Sequence, residues 1–453
     1  NQGSYGASNE LREVWDMKKV SIYIGIVLLP LLALASCNMF SRDSGIEYLE
    51  EEVFVYEEDA AAPSVALPES RSLAARGKGN KIEDFEYQIM RKARVLPVVV
   101  DGTSVQANDV VMSGTTAYVA YNTAGPTFAG AVQVIDFSDI ERPLIVTEIA
   151  LPHADVNALA VTDTAIYIAG AWNPDFITGY DPAEPNRAFL ARAELDELRG
   201  FFAIDGDDID ARKVILDSFA ATGVAVDGGT VFASTGAAHG TLQILSSDLT
   251  QTNPIDGYPD IRHIAIYHGG LIALQGTDQN DLSTGRVLVF KGDGSLFDTL
   301  PIDDFGSPEA KATIEVYDNH YAFLGLSEGG FTAIWLKDDA DPGETVTTVF
   351  EIENPSVDWS SLTSTNSASY SGDLVFTANG EAGFRVFRVL ENLKKDRQPD
   401  NFGELVGFVP FDETDIAIAG EFWSANHIEY RDEVLIVASG RGGVNIYSLT
   451  SAP

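Results

Sequence analysis

Aromatic and polar side chains recur at the ends of apolar runs along this chain. Three of its five tryptophans and three of its six histidines fall in one such set. Rings stack on sugars and on apolar side chains, while carboxylates and amides exchange hydrogen bonds with hydroxyl and amide groups. We therefore predict a glycan or peptide ligand, or, alternatively, tryptophans that fill core gaps and histidines that only hydrogen-bond at strand ends. The candidate ligand-binding residues are His153, Asp155, Trp172, Arg262, His263, Trp359, Trp423, Asn426, His427 and Arg441.

Two groups of residues have the side chains of metal ligands. His153, His263 and His427 together could hold a metal ion, but they come from three separate repeats. The run Asp205-Gly206-Asp207-Asp208-Ile209-Asp210 clusters acids, yet it lacks the sixth-position glycine and the distal glutamate of a calcium loop. We predict a solvated turn there, no metal site and no cofactor, with calcium as the one ion to consider.

Catalytic signatures are absent from the sequence. It has neither the Ser-x-Asp-x-Gly-x-x-Trp box of sialidase-like chains nor the recurrent Gly-x-x-x-Trp of quinoprotein-like chains. It also lacks a Gly-x-Ser-x-Gly elbow, a His-Glu-x-x-His helix and a phosphate loop. We therefore predict no catalytic residues, and a non-catalytic protein rather than an enzyme.

The elements that position the candidate residues form an internal repeat. Each copy has an apolar strand, a tight polar turn, a second apolar strand, a glycine-bearing loop and a third strand. Asp, Asn and Gly at the turn centres supply the positive φ angles that tight hairpins need. The seven turns are Ser113–Thr115, Thr162–Thr164, Asp227–Gly229, His268–Gly270, Asp318–His320, Ser371–Asp373 and Arg431–Glu433.

Most copies also carry a fourth strand. Four strands in a unit repeated at intervals of roughly 40 to 65 residues predict an all-β, seven-bladed β-propeller. The long interval after the second turn is an insertion between Trp172 and Asn186 that is typical of a loop. The predicted fourth strands are Leu144–Leu151, Lys213–Phe219, Leu296–Ile302, Val346–Ile352 and Leu405–Phe411.

The last copy ends at Pro453 without room for a fourth strand. Val95–Val100 is the unassigned strand, and its pairing with the last blade would close the ring and remove an exposed sheet edge. Pro97 fits this position because proline is tolerated on an edge strand. The preceding Ile82–Arg94 fits either a helix or an edge strand.

The first and last repeats carry a family signature. Tyr118-Val119-Ala120 is followed by Gly130, by Val132-Gln133-Val134-Ile135-Asp136 and by Pro143, and the closing copy at 427–449 is the other good match. These stretches resemble the LVIVD-repeat proteins, although Ile140 stands where that family has its first proline. The resemblance implies a β-propeller on the bacterial or archaeal cell surface, and it transfers no catalytic residue.

The N-terminal region predicts export and lipidation. Met17 and two lysines precede an apolar run, Val20–Ala33, which ends in Leu34-Ala35-Ser36-Cys37. A short apolar run before small residues is typical of a cleaved signal peptide rather than a spanning helix. Leu-Ala-Ser-Cys resembles the lipobox of bacterial lipoproteins, which implies that Cys37 carries a lipid and anchors the chain to a membrane.

These features predict four regions and a location. Residues 1–16 are a leader outside the product, 17–36 the signal peptide, 37–81 an acidic flexible tether and 82–453 the propeller. Asn38 after the lipidated cysteine favours the outer membrane, so we predict a lipid-anchored protein of the cell envelope, at the outer membrane or cell surface.

Charge narrows the choice of partner. The 29 Lys and Arg against 68 Asp and Glu give a net charge of −39, which disfavours nucleic acid and anionic membrane surfaces. The acids fit solubility in a salty medium or weak calcium binding. We predict a binding or scaffolding propeller for a protein, peptide or glycan. The alternatives are an extracellular enzyme acting on glycans or small molecules (lyase, hydrolase or lactonase) and an outer-membrane assembly factor.

Overall fold

The computed structural model describes most of the chain from residue 87 onward, and all of it lies within the compact unit Glu47–Pro453. The described residues are 55–56, 65–66, 87–123, 125, 127–177, 180, 187–195, 204–205, 208–209, 211–236, 239–276, 284–303, 305, 311–317, 320–336, 346–355, 363–389, 403–411 and 423–451. The signal peptide, Cys37, most of the predicted tether and Trp359 lie outside them.

The described strands form a β-propeller, which confirms the predicted all-β propeller fold. Antiparallel pairing groups them into four-stranded series, which we number along the chain from the first strand after the N-terminal segment. Series 1 is Gln106–Ser113, Thr116–Asn122, Gly130–Asp136 and Leu144–Leu151. Series 2 is Ala154–Val161, Ala165–Trp172, Ala188–Glu194 and Ala211–Leu216. Series 3 is Ala221–Asp227, Thr230–Thr235, Leu242–Ser246 and Thr252–Ile255.

The remaining four series follow the same plan. Series 4 is Ile261–Tyr267, Gly270–Gly276, Thr284–Phe290 and Leu296–Asp303. Series 5 is Thr313–Tyr317, Tyr321–Gly325, Phe331–Leu336 and Val346–Ile352. Series 6 is Ser367–Ser371, Leu374–Ala378, Phe384–Val389 and Gly403–Val409. Series 7 is Trp423–Arg431, Val434–Gly440, Val444–Ser451 and, from the N-terminal side, Tyr87–Val95.

The first strand of each series contacts the first strand of the next, and that of series 7 contacts that of series 1. We call these seven first strands the inner strands. A single ladder pair, Gly440 with Ala107, also joins series 7 to series 1. The inner strands therefore form a closed cycle, and their starts share one end of the molecule.

The hydrophobic core lies between neighbouring series. One cluster combines Tyr118 and Val134 of series 1 with Ile168 and Phe189 of series 2, and clusters of the same kind join other neighbours. Second strands such as Ala165–Trp172 are buried at every residue because a sheet covers each of their faces. Such strands are continuous apolar runs in the sequence rather than alternating ones.

The closing strand was predicted in the wrong place. Tyr87–Val95, not Val95–Val100, pairs with Val444–Ser451 along its whole length. Pro97 has no N–H to donate to a ladder, so the strand ends before it, and Val99–Val100 instead forms a small hairpin with Thr103–Ser104. The segment that fitted either a helix or an edge strand is thus the edge strand.

Turns and outer strands largely follow the prediction. Gly114, Gly228, Gly269 and Gly372 have positive φ at the predicted turns, whereas Asp318 and Asn319 lie outside the described residues. Ala211–Leu216 and Gly403–Val409 each begin two residues before the prediction, and the fourth strand of series 3 was not predicted.

Several other short elements lie outside the seven series. Within the predicted tether, Val55–Tyr56 pairs with the outer strand of series 1 and Val65–Ala66 with Tyr87–Val95. In the insertion after Trp172, Pro174–Phe176 forms a 3-10 turn. Between the third and fourth strands of series 2, Ile204–Asp205 pairs with Asp208–Ile209.

Candidate functional site

Bulges near the starts of the inner strands set the direction of the side chains there. In each of series 1 to 4 the ladder to the second strand skips one residue, namely Asn108, Asn157, Thr222 and Arg262 in turn. A bulge leaves that residue unpaired and re-aims its side chain. Three of these four residues use the freedom to reach the neighbouring series.

Side chains at this level connect each inner strand to the next around the whole cycle. An inner strand is a sheet edge, so its outward carbonyl groups need partners from elsewhere. The amide nitrogen of Asn108, for example, donates to Asn157 O of series 2 at 2.9 Å. The other links are Asn157 to Ala221 O, Thr222 to Ile261 O, His263 to Ile314 O, Thr313 to Asn366 O, Asn366 to Ala425 O and Asn426 to Ala107 O. We call this set of seven links the polar ring.

Side chains of one inner strand also accept hydrogen bonds from backbone N–H groups of the next inner strand. These bonds run around the cycle in the same direction as the links of the polar ring. Asp109 Oδ2 accepts from Leu159 N at 2.9 Å, and Ser367 Oγ accepts from Ile428 N at 3.0 Å. Glu429 accepts from Met112 N at 2.6 Å and so joins series 7 to series 1. Polar side chains therefore connect neighbouring inner strands, which do not pair with one another in a ladder.

A cavity of about 250 Å³ opens at the polar ring. Its lining includes amide and hydroxyl side chains from series 1, 2, 3 and 5, and Ala312 is the one described lining residue without a polar side chain. Among the described residues, those lining it are Asn108, Asp109, Asn122, Asn157, Thr222, Arg262, His263, Lys311, Ala312 and Thr313. This cavity is the candidate site.

Lys311 crosses the cavity from series 5 to series 1. Its ammonium group donates to the carbonyl oxygen of Asn108, and it lies 3.2 Å from Asn108 Oδ1. Burial lowers the pKa of Lys311 to about 8, against the opposing effect of Asp109 and Glu315. The lysine is therefore still largely protonated at pH 7.

Asp109 is the ionised carboxylate of the site. Its Oδ1 lies 2.5 Å from Nδ1 of His427. Burial raises the pKa of Asp109, but His427, Lys311 and His263 outweigh burial and hold the pKa well below its usual range. The carboxylate is thus charged at neutral pH.

The other titratable groups beside the cavity are mainly uncharged at pH 7. Burial lowers the pKa of His263 to about 4, so its imidazole is neutral. Burial, together with Asp109, raises the pKa values of Glu315 and Glu429 to about 8. The Nη2 of Arg262 lies 2.8 Å from Asp260 Oδ2. Charge at the site is consequently close to balanced.

A path leads from the cavity onto the loops of series 1 and 2. Asn122 lines the cavity, and the next residue, Thr123, donates from its N–H and its hydroxyl to Asp155 Oδ1 at 2.9 and 3.0 Å. Burial raises the pKa of Asp155 to about 6, although hydrogen bonds from Thr123 and the charge of Arg187 oppose this.

Aromatic rings continue this path. The Arg187 guanidinium lies 5.2 Å from the ring of Phe128 and 5.1 Å from that of Phe219. The rings of His153 and Phe176 stack with centroids 3.6 Å apart, and Phe176 is 54% exposed. We call Phe128, His153, Phe176, Arg187 and Phe219 the aromatic surface.

Two predicted ligand residues belong to the core. Trp172 is 1% exposed and packs edge-on against Phe189, with centroids 5.2 Å apart. Trp423 is also 1% exposed, and Arg94 of the closing strand lies 4.3 Å from its ring centroid. Their rings fill space within and between series, so neither offers a face to a ligand, as the alternative prediction for the tryptophans holds.

The other predicted residues divide between the cavity and its surroundings. Arg262 and His263 line the cavity, and His427 contacts Asp109 beside it. Asn426 is a member of the polar ring, and Arg441 is exposed in the turn after Val434–Gly440.

Sequence reasoning missed four titratable groups at the site, namely Asp109, Lys311, Glu315 and Glu429. The sequence signal that could have located them is a charged residue within, or just before, an apolar inner strand, because such a residue faces either the core or the centre of the ring. The ring of His153 stacks on Phe176. No metal-binding group of three His, Cys, Asp or Glu occurs among the described residues.

Comparisons with known proteins add little to this description. No family model matches the chain, and no curated protein matches it. Solved structures similar to it include "Structure of U3-55K" (13% identity, 78% of this chain and 98% of that one, TM-score 0.49). Two others are "Structure of Dos1 propeller" (12%, 89% and 95%, 0.49) and a Cps50 (Swd1) propeller domain from Myceliophteria thermophila (13%, 76% and 100%, 0.47). These likenesses are too distant to carry an argument about function.

The described residues contain no helix that is long and apolar enough to cross a membrane.

Proposed function

We propose that this protein is a non-catalytic binding or scaffolding propeller that takes a protein, peptide or glycan partner at the cavity and on the aromatic surface. The observation that carries the proposal is the polar cavity of about 250 Å³ at one end of the inner strands. Its lining groups are fixed by links between neighbouring series, so they are oriented before a ligand arrives, and preorganisation of this kind lowers the cost of binding. The seven series act as the seven blades of one ring that holds these groups in place.

The partner is proposed to meet the protein outside the cytoplasm. Cys37 behind the apolar run is the proposed lipid-bearing residue, and 37–81 the segment that links the lipid to the propeller. Growth of a bacterial host with labelled palmitate tests this part. Label should enter the parent chain and should be absent from Cys37→Ser, whereas equal labelling of both would refute the anchor.

The binding role is tested with the purified protein on glycan and peptide arrays and by capture of envelope proteins. Phe176→Ser removes the most exposed ring of the aromatic surface and should weaken binding at least tenfold. Leu296→Ser is the matched control because Leu296 is 42% exposed on an outer strand of series 4. Equal loss in both variants, or no partner on any platform, contradicts the proposal.

An extracellular enzyme is the second candidate, and one observation favours it. Glu315 and Glu429, with pKa values raised to about 8, lie near Asp109 and Lys311, and shifted pKa values cluster at active sites. An enzyme would release product from a glycan or lactone panel and lose this activity in Glu429→Gln. A binding propeller would release none between pH 5 and 9.

A further inference from the structure

We infer that the cavity at the polar ring binds one uncharged sugar residue, the terminal unit of a glycan that continues over the aromatic surface. The inference deepens the proposed binding role and rests on it.

The lining chemistry matches a polyhydroxyl ligand. A sugar hydroxyl both donates and accepts, so it needs walls that offer both kinds of group. Asn122, Asn157 and Thr222 supply amides and a hydroxyl, and the neutral imidazole of His263 adds a ring nitrogen. Ala312 is the one described lining residue without a polar side chain, so the other lining residues can each offer a donor or an acceptor to a hydroxyl group.

The charges at the site disfavour an ionic ligand. Arg262 pairs with Asp260, while the protonated Lys311 offsets the charge of Asp109. An added carboxylate would have to compete with Asp109 for the same cation. The net charge of −39 also repels an approaching anion at long range.

The size of the cavity suits one sugar ring. At ~30 Å³ for each water molecule, 250 Å³ holds about eight waters. A hexose that replaces these waters can keep their hydrogen bonds through its hydroxyl groups, and displacement of waters by a group that reproduces their bonds costs little affinity.

The surroundings provide for the next sugar of the chain. Thr123 follows the cavity residue Asn122 and donates to Asp155, which comes two residues after His153 in the chain, and the exposed ring of Phe176 stacks on His153. An exposed ring stacks on the apolar face of a pyranose. The polar cavity thus selects the terminal unit, and the aromatic surface holds the unit behind it.

Isothermal titration of the purified protein tests the inference, with glucose, galactose, mannose and N-acetylglucosamine as neutral probes and glucuronate as the charged one. At least one neutral sugar should bind saturably and raise the melting temperature, and glucuronate should bind at least tenfold more weakly. Asn122→Ala should weaken binding at least tenfold, because the amide of Asn122 lines the cavity and donates a 3.2 Å hydrogen bond to Asn157 Oδ1. Asn253→Ala is the matched control, because Asn253 is exposed on an outer strand of series 3.

Asn122→Gln is the second variant, and it keeps the amide but fills part of the cavity. It should also lose affinity while its unliganded melting temperature stays near that of the parent. Binding that is unchanged in both Asn122 variants, tighter binding of glucuronate, or a cavity that holds water only would overturn the inference. If arrays still reveal a partner that depends on Phe176, the proposed binding role stands without this sugar site.

Discussion

Asp155 is a buried carboxyl group whose ionisation makes the stability of the fold depend on pH. It is 8% exposed and accepts two hydrogen bonds from Thr123. Because burial raises its pKa from 3.8 to about 6, the folded state holds the proton more tightly than the unfolded chain. Its contribution to stability is therefore complete below about pH 4 and is lost as the pH rises through 6.

Asp155→Asn should accordingly stabilise the protein above pH 6 and have little effect at pH 4. Asparagine can still accept from Thr123, and it removes the cost of ionising a buried group. Calorimetric melting temperatures measured from pH 4 to 8 check this, with the exposed Asp217→Asn as control. A difference from the parent that does not change with pH would contradict this account of Asp155.

The polar ring makes a second prediction for a single side chain. Asn157 donates to Ala221 O at 3.0 Å and accepts from Asn122, so Asn157→Ala removes two hydrogen bonds and leaves a carbonyl without its partner. We expect a loss of about 1–3 kcal/mol in the free energy of unfolding. Urea unfolding measures it, and the exposed Asn253→Ala should change stability by less than about 0.5 kcal/mol. Equal effects of the two substitutions would mean that the ring link contributes nothing.

At the scale of the strand and its turns, glycine is needed for two different reasons. Gly383 has φ +92°, and a Cβ there would lie 2.2 Å from Val409 O of the outer strand. Gly330 and Gly443 have the same arrangement in series 5 and 7. Gly372 has φ +65° in the tight turn, but no atom lies within 4 Å of a Cβ at that position. A side chain at Gly383 would therefore meet both backbone strain and a steric clash, whereas one at Gly372 would meet backbone strain alone.

Gly372→Ala and Gly383→Ala should separate the two effects. The first should cost about 1–2 kcal/mol, which is the penalty of a left-handed conformation for a residue with Cβ. The second should cost more than about 3 kcal/mol, because backbone must also move. Chemical unfolding of both variants gives the comparison, and a milder effect of Gly383→Ala would show that the loop relaxes freely.

At the scale of the whole molecule, the two ends of the propeller segment meet in series 7. Tyr87–Val95 completes that sheet, and Ile89, Ala93 and Val95 are buried in the clusters that series 7 shares with series 6 and 1. Arg94 adds a hydrogen bond to Gly442 O at 2.8 Å beside the ring of Trp423. Without this strand Val444–Ser451 would become an exposed edge.

Deletion of residues 1–96 should therefore destabilise the chain far more than deletion of residues 1–81. The longer deletion exposes several buried apolar side chains, and we expect it to cost at least about 3 kcal/mol. Of the strands that the structure describes, the shorter one removes the two-residue strands Val55–Tyr56 and Val65–Ala66. Thermal unfolding followed by circular dichroism compares the two, and similar melting temperatures would argue against closure by both chain ends.

The sequence alone determined the fold class, because strands, turns and glycine loops are local patterns that recur along the chain. Turn residues such as Gly114 and Gly372 could be located in advance, since positive φ depends on the residue itself. The predicted closing strand missed by a few residues because the apolar run Val95–Val100 looks as good a strand as Tyr87–Val95. Only the partner strand decides between them.

The site was decided by tertiary structure. Arg262, His263 and His427 were predicted from composition at strand starts, but Lys311 crossing to Asn108 joins residues of series 5 and series 1 that no local pattern connects. In the sequence, Trp172 and Trp423 look like the aromatic residues of a ligand site, but neighbouring sheets bury them. Burial and the meeting of distant inner strands are properties of the closed ring, so residue type and spacing could not reveal them.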